Sequence, residues 1–322
     1  MHAKEQFFSL TSEIALDAID ALGMKTTGRM LQLNSLENRV YEIEIEDKEG
    51  ATSLVVAKFY RPLRWSKQQI QDEHDFLFEL EASDIPVVAP IKNKIGESVL
   101  ELPNLEMFGA IFPKKSGRLE PESSDEDLAK IGRLIGRMHA VGSRKKEVTR
   151  PKVSSQWFLK SNYEFVLEFI PKEILSTYDS VLGELEKFCK QKLNEDTFIR
   201  VHGDLHRGNI IWRADEGPVL VDFDDFLLGP PVQDFWLLVS GRDEESQRQL
   251  DLIISGYEMF REFDYESLSL IELLRTLRMV LFAGWISKRA DDPSFKRAFP
   301  QFWERSFWDS HIRDLQDQIS VI

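Results

Sequence analysis

Two periods of hydrophobic and polar residues divide this chain. Ala15, Ala18, Ile19 and Leu22 recur at helical spacing, with Thr11 or Ser12 as cap and Gly23 as stop, which predicts a helix over 11–22. The period then shortens to two. Leu31-Gln32-Leu33 leads into a polar turn, Asn34 to Asn38, after which Tyr41, Ile43 and Ile45 alternate with Glu42, Glu44 and Glu46 as in a half-buried strand. Asp47 to Gly50 forms a turn, and Thr52 to Tyr60 is a β-branched and aromatic strand carrying one charge, Lys58. Ser66, with Gln69 three residues on, opens a helix that runs to about Ala82. Pro86 and Pro90 bracket Val87-Val88, and further strands are expected around 98–102 and 108–112.

Past Pro113 the pattern changes. Lys114 to Gly117 reads as a connector, and helical periodicity then prevails over 124–141, 156–169, 173–193, 245–262, 266–289 and a segment near the C-terminus. Only 198–223 interrupts it, with short strands around a loop rich in Gly and Asp. Leu128, Ile131, Ile135 and Met138 make 124–141 the expected central helix of the helical part, with His139 as a packed histidine at its end. The expected class is α+β. Residues 1–113 form a lobe of antiparallel sheet with an inserted helix, and 114–322 a larger, mainly helical lobe.

At 322 residues the chain suits one large domain or two medium ones. It holds 41 basic and 55 acidic residues, a net charge of -14, which argues against a nucleic-acid or anionic-membrane partner. A single nucleotide is compatible with that charge, because its site needs only a few local cations. The lone cysteine, Cys189, excludes an internal disulfide framework, suits a reducing compartment and reads as a packed side chain. Met1 to Leu10 shows no basic start followed by an apolar run, so no secretory signal is expected. The longest apolar stretch, Met279 to Ile286, is far short of a membrane span. A cytoplasmic monomer is the expectation.

The densest chemistry lies in Val201 to Trp212 and in Val219 to Asp225. In each, an apolar strand delivers polar residues to a loop: Asp204 and Asn209 in the first, Asp222 in the second. Phosphoryl transfer needs a carboxylate to accept the acceptor's proton. It also needs a second carboxylate and an amide oxygen to hold Mg²⁺ against nucleotide phosphates. Gly203 and Gly208 let the backbone turn between these groups. Asp and Asn also cap helices and fill turns, but several such residues at this spacing favour chemistry. His202 and His206 share the spacing of a helical zinc pair, yet the two glycines oppose a helix and no third ligand is evident.

The run His202-Gly203-Asp204-Leu205-His206-Arg207-Gly208-Asn209, followed by Val221-Asp222-Phe223-Asp224-Asp225, resembles the catalytic and metal loops of aminoglycoside phosphotransferases and choline kinases. These form a branch of the protein-kinase-like superfamily. Leu33 to Tyr41, Lys58-Phe59-Tyr60-Arg61-Pro62 and Gly229 to Trp236 look like motifs of the bacterial stress response kinase A family, so the resemblance spans about 25 to 310. It implies a bilobal protein-kinase-like fold that uses ATP and Mg²⁺. Asp204 becomes the catalytic base, and Asn209 and Asp222 become metal ligands. His202 becomes a structural residue of the loop, and Asp234 its brace. Where many protein kinases place a Lys two residues after the base, this chain has His206, and Asp224 is left as an extra group near the metal.

Lys58 is a lone cation on a strand otherwise fit for burial and needs an anionic partner. The resemblance supplies ATP phosphates and a glutamate from the next helix. There Glu73 lies on the seam of Ile70, Leu77 and Leu80, whereas Asp72 falls off it. A Lys58–Glu73 clamp is expected; the alternative is a lysine snorkelling at a sheet edge. No glycine-rich loop follows the first strand; Asn34, Ser35 and Asn38 stand there instead. An ordinary hairpin turn would account for them, but the resemblance points to Ser35 as a nucleotide contact. The implied acceptor is a Ser or Thr hydroxyl of a protein. A small alcohol such as an aminoglycoside or choline is the alternative, and a catalytically silent nucleotide-binding scaffold is a third reading.

Overall fold

The computed structural model describes residues 7–119, 124–214, 216–239 and 241–322. Its strands are β1 (Lys25–Gln32), β2 (Arg39–Glu46), β3 (Thr52–Phe59), β4 (Leu100–Leu102), β5 (Met107–Pro113), β6 (Ile199–Val201), β7 (Ile210–Arg213), β8 (Gly217–Leu220) and β9 (Leu227–Gly229). Its helices are α1 (Ser12–Asp20), α2 (Lys67–Glu81), α3 (Asp125–Gly142), α4 (Ser161–Val166), α5 (Lys172–Lys192), α6 (Glu244–Tyr257), α7 (Ile271–Lys288), α8 (Pro293–Ala298) and α9 (Arg305–Ile319). The chain divides into two compact units. The first holds the described residues before 120 together with Glu147–Arg150 and Arg207–Asp224; the second holds Ser124–Lys146, Pro151–His206 and the described residues from Asp225 on.

In the first unit, β1 to β5 form an antiparallel sheet in the order β1-β2-β3-β5-β4. The alternation in β2 is real: Tyr41 and Ile43 are buried and pack with Val55, Ala57 and Phe59 of β3, Ile19 of α1 and Met107 of β5. Thr11 caps α1. Ser66 and Gln69 form the expected capping box at α2. That helix buries Ile70, Glu73, Leu77 and Leu80 as the seam predicts, but also Asp72 and His74. Asp72 is no flank residue. It accepts from the Thr149 hydroxyl at 2.6 Å, and His74 stands between Tyr60 Oη (3.1 Å) and Ser98 Oγ (2.8 Å). Helical periodicity sees apolar faces and is blind to such polar burial.

In the second unit, α3 and α6 pack backbone to backbone. A methyl group on Gly132 would collide with the Ile253 carbonyl oxygen, and one on Gly256 with that of Ala129. Leu128, Ile131, Ile135 and Met138 are all buried. β6 pairs with β9, a three-residue strand too short to announce itself in the sequence. The expected helix 156–169 is instead a π turn over Gln156–Lys160 followed by α4. The Ser161 hydroxyl and the Asn162 amide take carbonyl oxygens of the preceding turn, Trp157 and Phe158, and compete with regular helix bonds. The expected helix 266–289 is a 3-10 stretch up to Leu270, held by Asp264 and Ser267, before α7 begins. Cys189 is buried on α5, and burial pushes its thiol up to about 12. Among the described residues no helix is long and apolar enough to cross a membrane.

Candidate active site

The hairpin β7–β8 of the first unit sets two of the expected site residues. Ile210 pairs with Leu220 at its open end, and the Val221 N–H extends the ladder to the Asn209 carbonyl at 3.0 Å. Asn209 and Asp222 therefore leave the same end of one hairpin. Asn209 is buried, whereas the Asp222 side chain is 56% exposed. Asp222 has φ 61°, a left-handed conformation that costs a non-glycine residue about 1–2 kcal/mol. An amide and a carboxylate are hard oxygen donors suited to a small divalent cation that keeps its remaining positions for water or phosphate. Asn209 and Asp222 thus offer a donor set that fits a hard divalent cation.

Lys58 on β3 reaches this end of the hairpin. Its Nζ lies 3.1 Å from Asp222 Oδ1 and 3.3 Å from Asp224 Oδ1, and its side chain is buried. Burial opposes the charge, yet Asp222, then Asp224 and Glu73, raise the ammonium well above its ordinary range. Asp224 is buried, ion-paired with Arg64 and bonded by the Asn38 amide at 3.0 Å. Burial works against its ionisation, but Arg64, Lys58 and Arg150 together hold the carboxyl below its ordinary range. Asp224 is thus a structural anion of the loop, with three cations or donors already upon it.

The expected clamp is not formed. Among the described residues Lys58 and Glu73 make no ion pair with each other. Glu73 Oε2 is 3.1 Å from Arg150 Nη2, and that same nitrogen donates to the Asp224 carbonyl at 2.8 Å. The physical reason is competition: two aspartates neutralise Lys58 at contact distance, and a guanidinium takes Glu73. Burial still outweighs Lys58 and Arg150 and raises the Glu73 carboxyl to about 7. The Arg150 guanidinium also lies 4.0 Å over the Trp65 ring. Ser35 sits in the β1–β2 turn, where its hydroxyl accepts from the Asn38 N–H at 3.2 Å. That contact is the turn geometry expected of serine.

In the second unit, the Asp204 loop follows β6 and is held from below. The Asp234 carboxylate accepts from the His202 N–H (2.7 Å) and the Gly203 N–H (2.9 Å). His139 Nε2 lies 3.0 Å from the same carboxylate, and Gln233 donates to the Gly203 carbonyl at 2.9 Å. Gly203 has φ 85°, and a methyl group there would collide with the Asp225 carbonyl oxygen, so both backbone and space require glycine. His202 is fully buried, as is His139. The Asp204 carboxylate is 20% exposed and forms an ion pair of 2.7 Å with Arg278 of α7. Sequence reasoning found neither Arg150 nor Arg278. The first lies in a charged stretch that reads as a solvated loop, and the second on a helix far along the chain; neither carries a local signal.

Residues 30–271 match the phosphotransferase enzyme family. Stress response kinase A of Escherichia coli strain K12 is 34% identical over 319 residues, covering 98% of this chain and 94% of that protein. The serine/threonine protein kinase RdoA of Salmonella typhimurium strain LT2 is 33% identical over 322 residues with the same coverage. Among solved structures, the amicoumacin kinase hAmiN in complex with AMP-PNP, Ca²⁺ and Ami superposes with a TM-score of 0.77 at 20% identity, covering 99% of this chain and 96% of the other, a likeness of fold.

Proposed function

Because this chain belongs to the phosphotransferase enzyme family and is a kinase, we propose that it moves the γ-phosphoryl group of ATP to a Ser or Thr hydroxyl of a protein, with Asp204 as base. The observation that carries the reading is the placement of Asn209 and Asp222 at one end of one hairpin with Lys58 beside them. Mg²⁺ bound there would offset the negative charge of the nucleotide phosphates. Lys58 would contact a phosphate, Ser35 would donate to the nucleotide, and Glu73 would steady the charge around Lys58. In the reaction a lone pair of the acceptor oxygen forms the bond to the γ-phosphorus. The bond from that phosphorus to the bridging oxygen breaks, and its electron pair leaves with ADP. The hydroxyl proton passes to Asp204. On this reading residues 1–113 serve the nucleotide, and 114–322 serve catalysis and the acceptor.

The likeness to two named stress-response and serine/threonine kinases over nearly the whole chain favours a protein acceptor over a small alcohol. The net charge of -14 favours neither nucleic acid nor an anionic membrane as partner. A cytoplasmic monomer fits the reaction. The test is incubation with labelled ATP and Mg²⁺, with a panel of proteins in one arm and aminoglycosides and choline in another, against Asp222→Ala as control. Label on phosphoserine or phosphothreonine, absent with the variant, is the expected result. Label only on a small alcohol reassigns the acceptor. No transfer to any acceptor or to water makes the chain a silent scaffold and ends the proposal.

A further inference from the structure

Phosphoryl transfer concentrates negative charge at the transferred group, and the run from His202 to Asn209 carries one permanent cation, Arg207. The position two residues after Asp204 holds His206, whose Nε2 is 3.8 Å from Asp204 Oδ2 and whose side chain is 42% exposed. A fixed cation arrives from elsewhere in the second unit. Arg278, in the middle of α7, places Nη2 2.7 Å from Asp204 Oδ1. Among the described residues Asp204 is its ion partner, and its side chain remains 39% exposed. The nearby arginines are committed to other work. Arg275 Nε lies 3.3 Å from Glu272 Oε2 and its guanidinium stands over the Trp236 ring; Arg242 bonds Glu272 and Gln318.

We propose that Arg278 supplies positive charge from α7 to the transferred phosphoryl group. This rests on the reading of Asp204 as base. Before transfer, the ion pair holds the Asp204 carboxylate in place. When Asp204 takes the proton of the attacking hydroxyl it becomes neutral, and the attraction that held Arg278 disappears. The phosphoryl oxygens keep their charge through the same step, so the guanidinium turns from carboxylic acid to phosphoryl, whose spacing its planar fork matches. No charge is created or lost: the proton on Asp204 came from the acceptor, and Arg278 stays protonated throughout. The same contact also excludes a premature use of the base, because a hydroxyl must displace or share Arg278 to reach Oδ1.

The test compares Arg278→Ala, Arg278→Lys and Asp204→Asn in the full chain, with Mg²⁺-dependent ATP hydrolysis as the turnover probe and water as acceptor. ADP affinity and the affinity for ADP with aluminium fluoride, a mimic of the phosphoryl group in flight, are measured by titration. Arg278→Ala should lower kcat by about a hundredfold or more, with KM for ATP and ADP affinity within about twofold. It should weaken the aluminium fluoride complex by a comparable factor. Arg278→Lys should recover about tenfold of kcat, and millimolar guanidinium should partly restore Arg278→Ala, which a merely structural arginine would not allow. An unchanged or raised kcat in Arg278→Ala, or equal weakening of ADP and its aluminium fluoride complex, overturns the proposal. If Asp204→Asn also leaves kcat unchanged, the reading of the base itself falls; if Asp204→Asn is inactive and Arg278→Ala is not, only this inference falls.

Discussion

The loop that carries Asp222 and the loop that carries Asp204 are held by different forces. Around Asp222, charged side chains converge from scattered segments: Lys58, Arg64, Glu73, Arg150 and Asp224. Around Asp204, one buried carboxylate, Asp234, accepts two backbone N–H groups and is itself steadied by His139. The first arrangement balances charge against burial, so removing one member leaves another uncompensated. The second satisfies backbone polarity, so it fixes geometry with few partners. Under the proposed function, a loop receiving a metal and a polyanion would gain from a charge cluster that can be re-paired, and a loop presenting one base would gain from rigidity.

That contrast can be broken most severely at Arg150. Arg150→Ala leaves Glu73 buried beside no guanidinium and should cost about 3–5 kcal/mol in urea denaturation. Lysine should restore it only in part, since its ammonium lacks the planar face that Arg150 lays over the Trp65 ring. A loss under about 1 kcal/mol would mean that the cluster does not hold this loop.

Asp204→Asn should leave the second loop standing while removing its chemistry. Turnover should fall about a hundredfold or more, equal to about 2.7 kcal/mol of barrier, with ADP affinity retained. Loss of affinity without a separate loss of single-turnover chemistry would make Asp204 a binding residue. Asp234→Asn exchanges charge-assisted bonds for neutral ones and offers one acceptor oxygen in place of two. Stability should drop by about 1–2 kcal/mol. A wild-type melting curve would show that the brace is not Asp234.

The mildest change sharpens the comparison through pH. The Glu73 carboxyl titrates near 7 in the folded protein against an ordinary value of 4.5, so between these values the folded state binds more protons than the unfolded chain. The stability it contributes is complete below about 4.5 and is lost as pH rises through about 7. Glu73→Gln should flatten the fall in urea midpoint between pH 5 and pH 8. Asp224, held low, contributes with the opposite sign and only in more acidic solution, outside that window. An unaltered slope would assign the titration to another group.

Much of this was legible where the signal is local. The capping box at Ser66 and Gln69, the alternation through Tyr41 and Ile43, and the glycine demanded at Gly203 each follow from a few neighbouring residues. That Lys58 needs an anion was also legible, because a lone cation on an apolar strand cannot be left bare. Which anion it takes was not: Asp222 lies 164 positions away, and Glu73, the nearer candidate, is claimed by Arg150. Long-range charge pairing leaves no period and no spacing in a single sequence. Asp72 and His74 were missed for a related reason, since their burial depends on partners at Thr149, Tyr60 and Ser98 and not on their own polarity.

The buried position of Cys189 has a practical consequence. With its thiol pushed up to about 12, almost no thiolate exists at neutral pH, and thiolate is the species that attacks alkylating reagents and peroxide. An oxidant therefore finds no reactive cysteine on the folded chain. A thiol reagent reaches the sulfur only when α5 opens, so the labelling rate is a clock that counts openings of that helix.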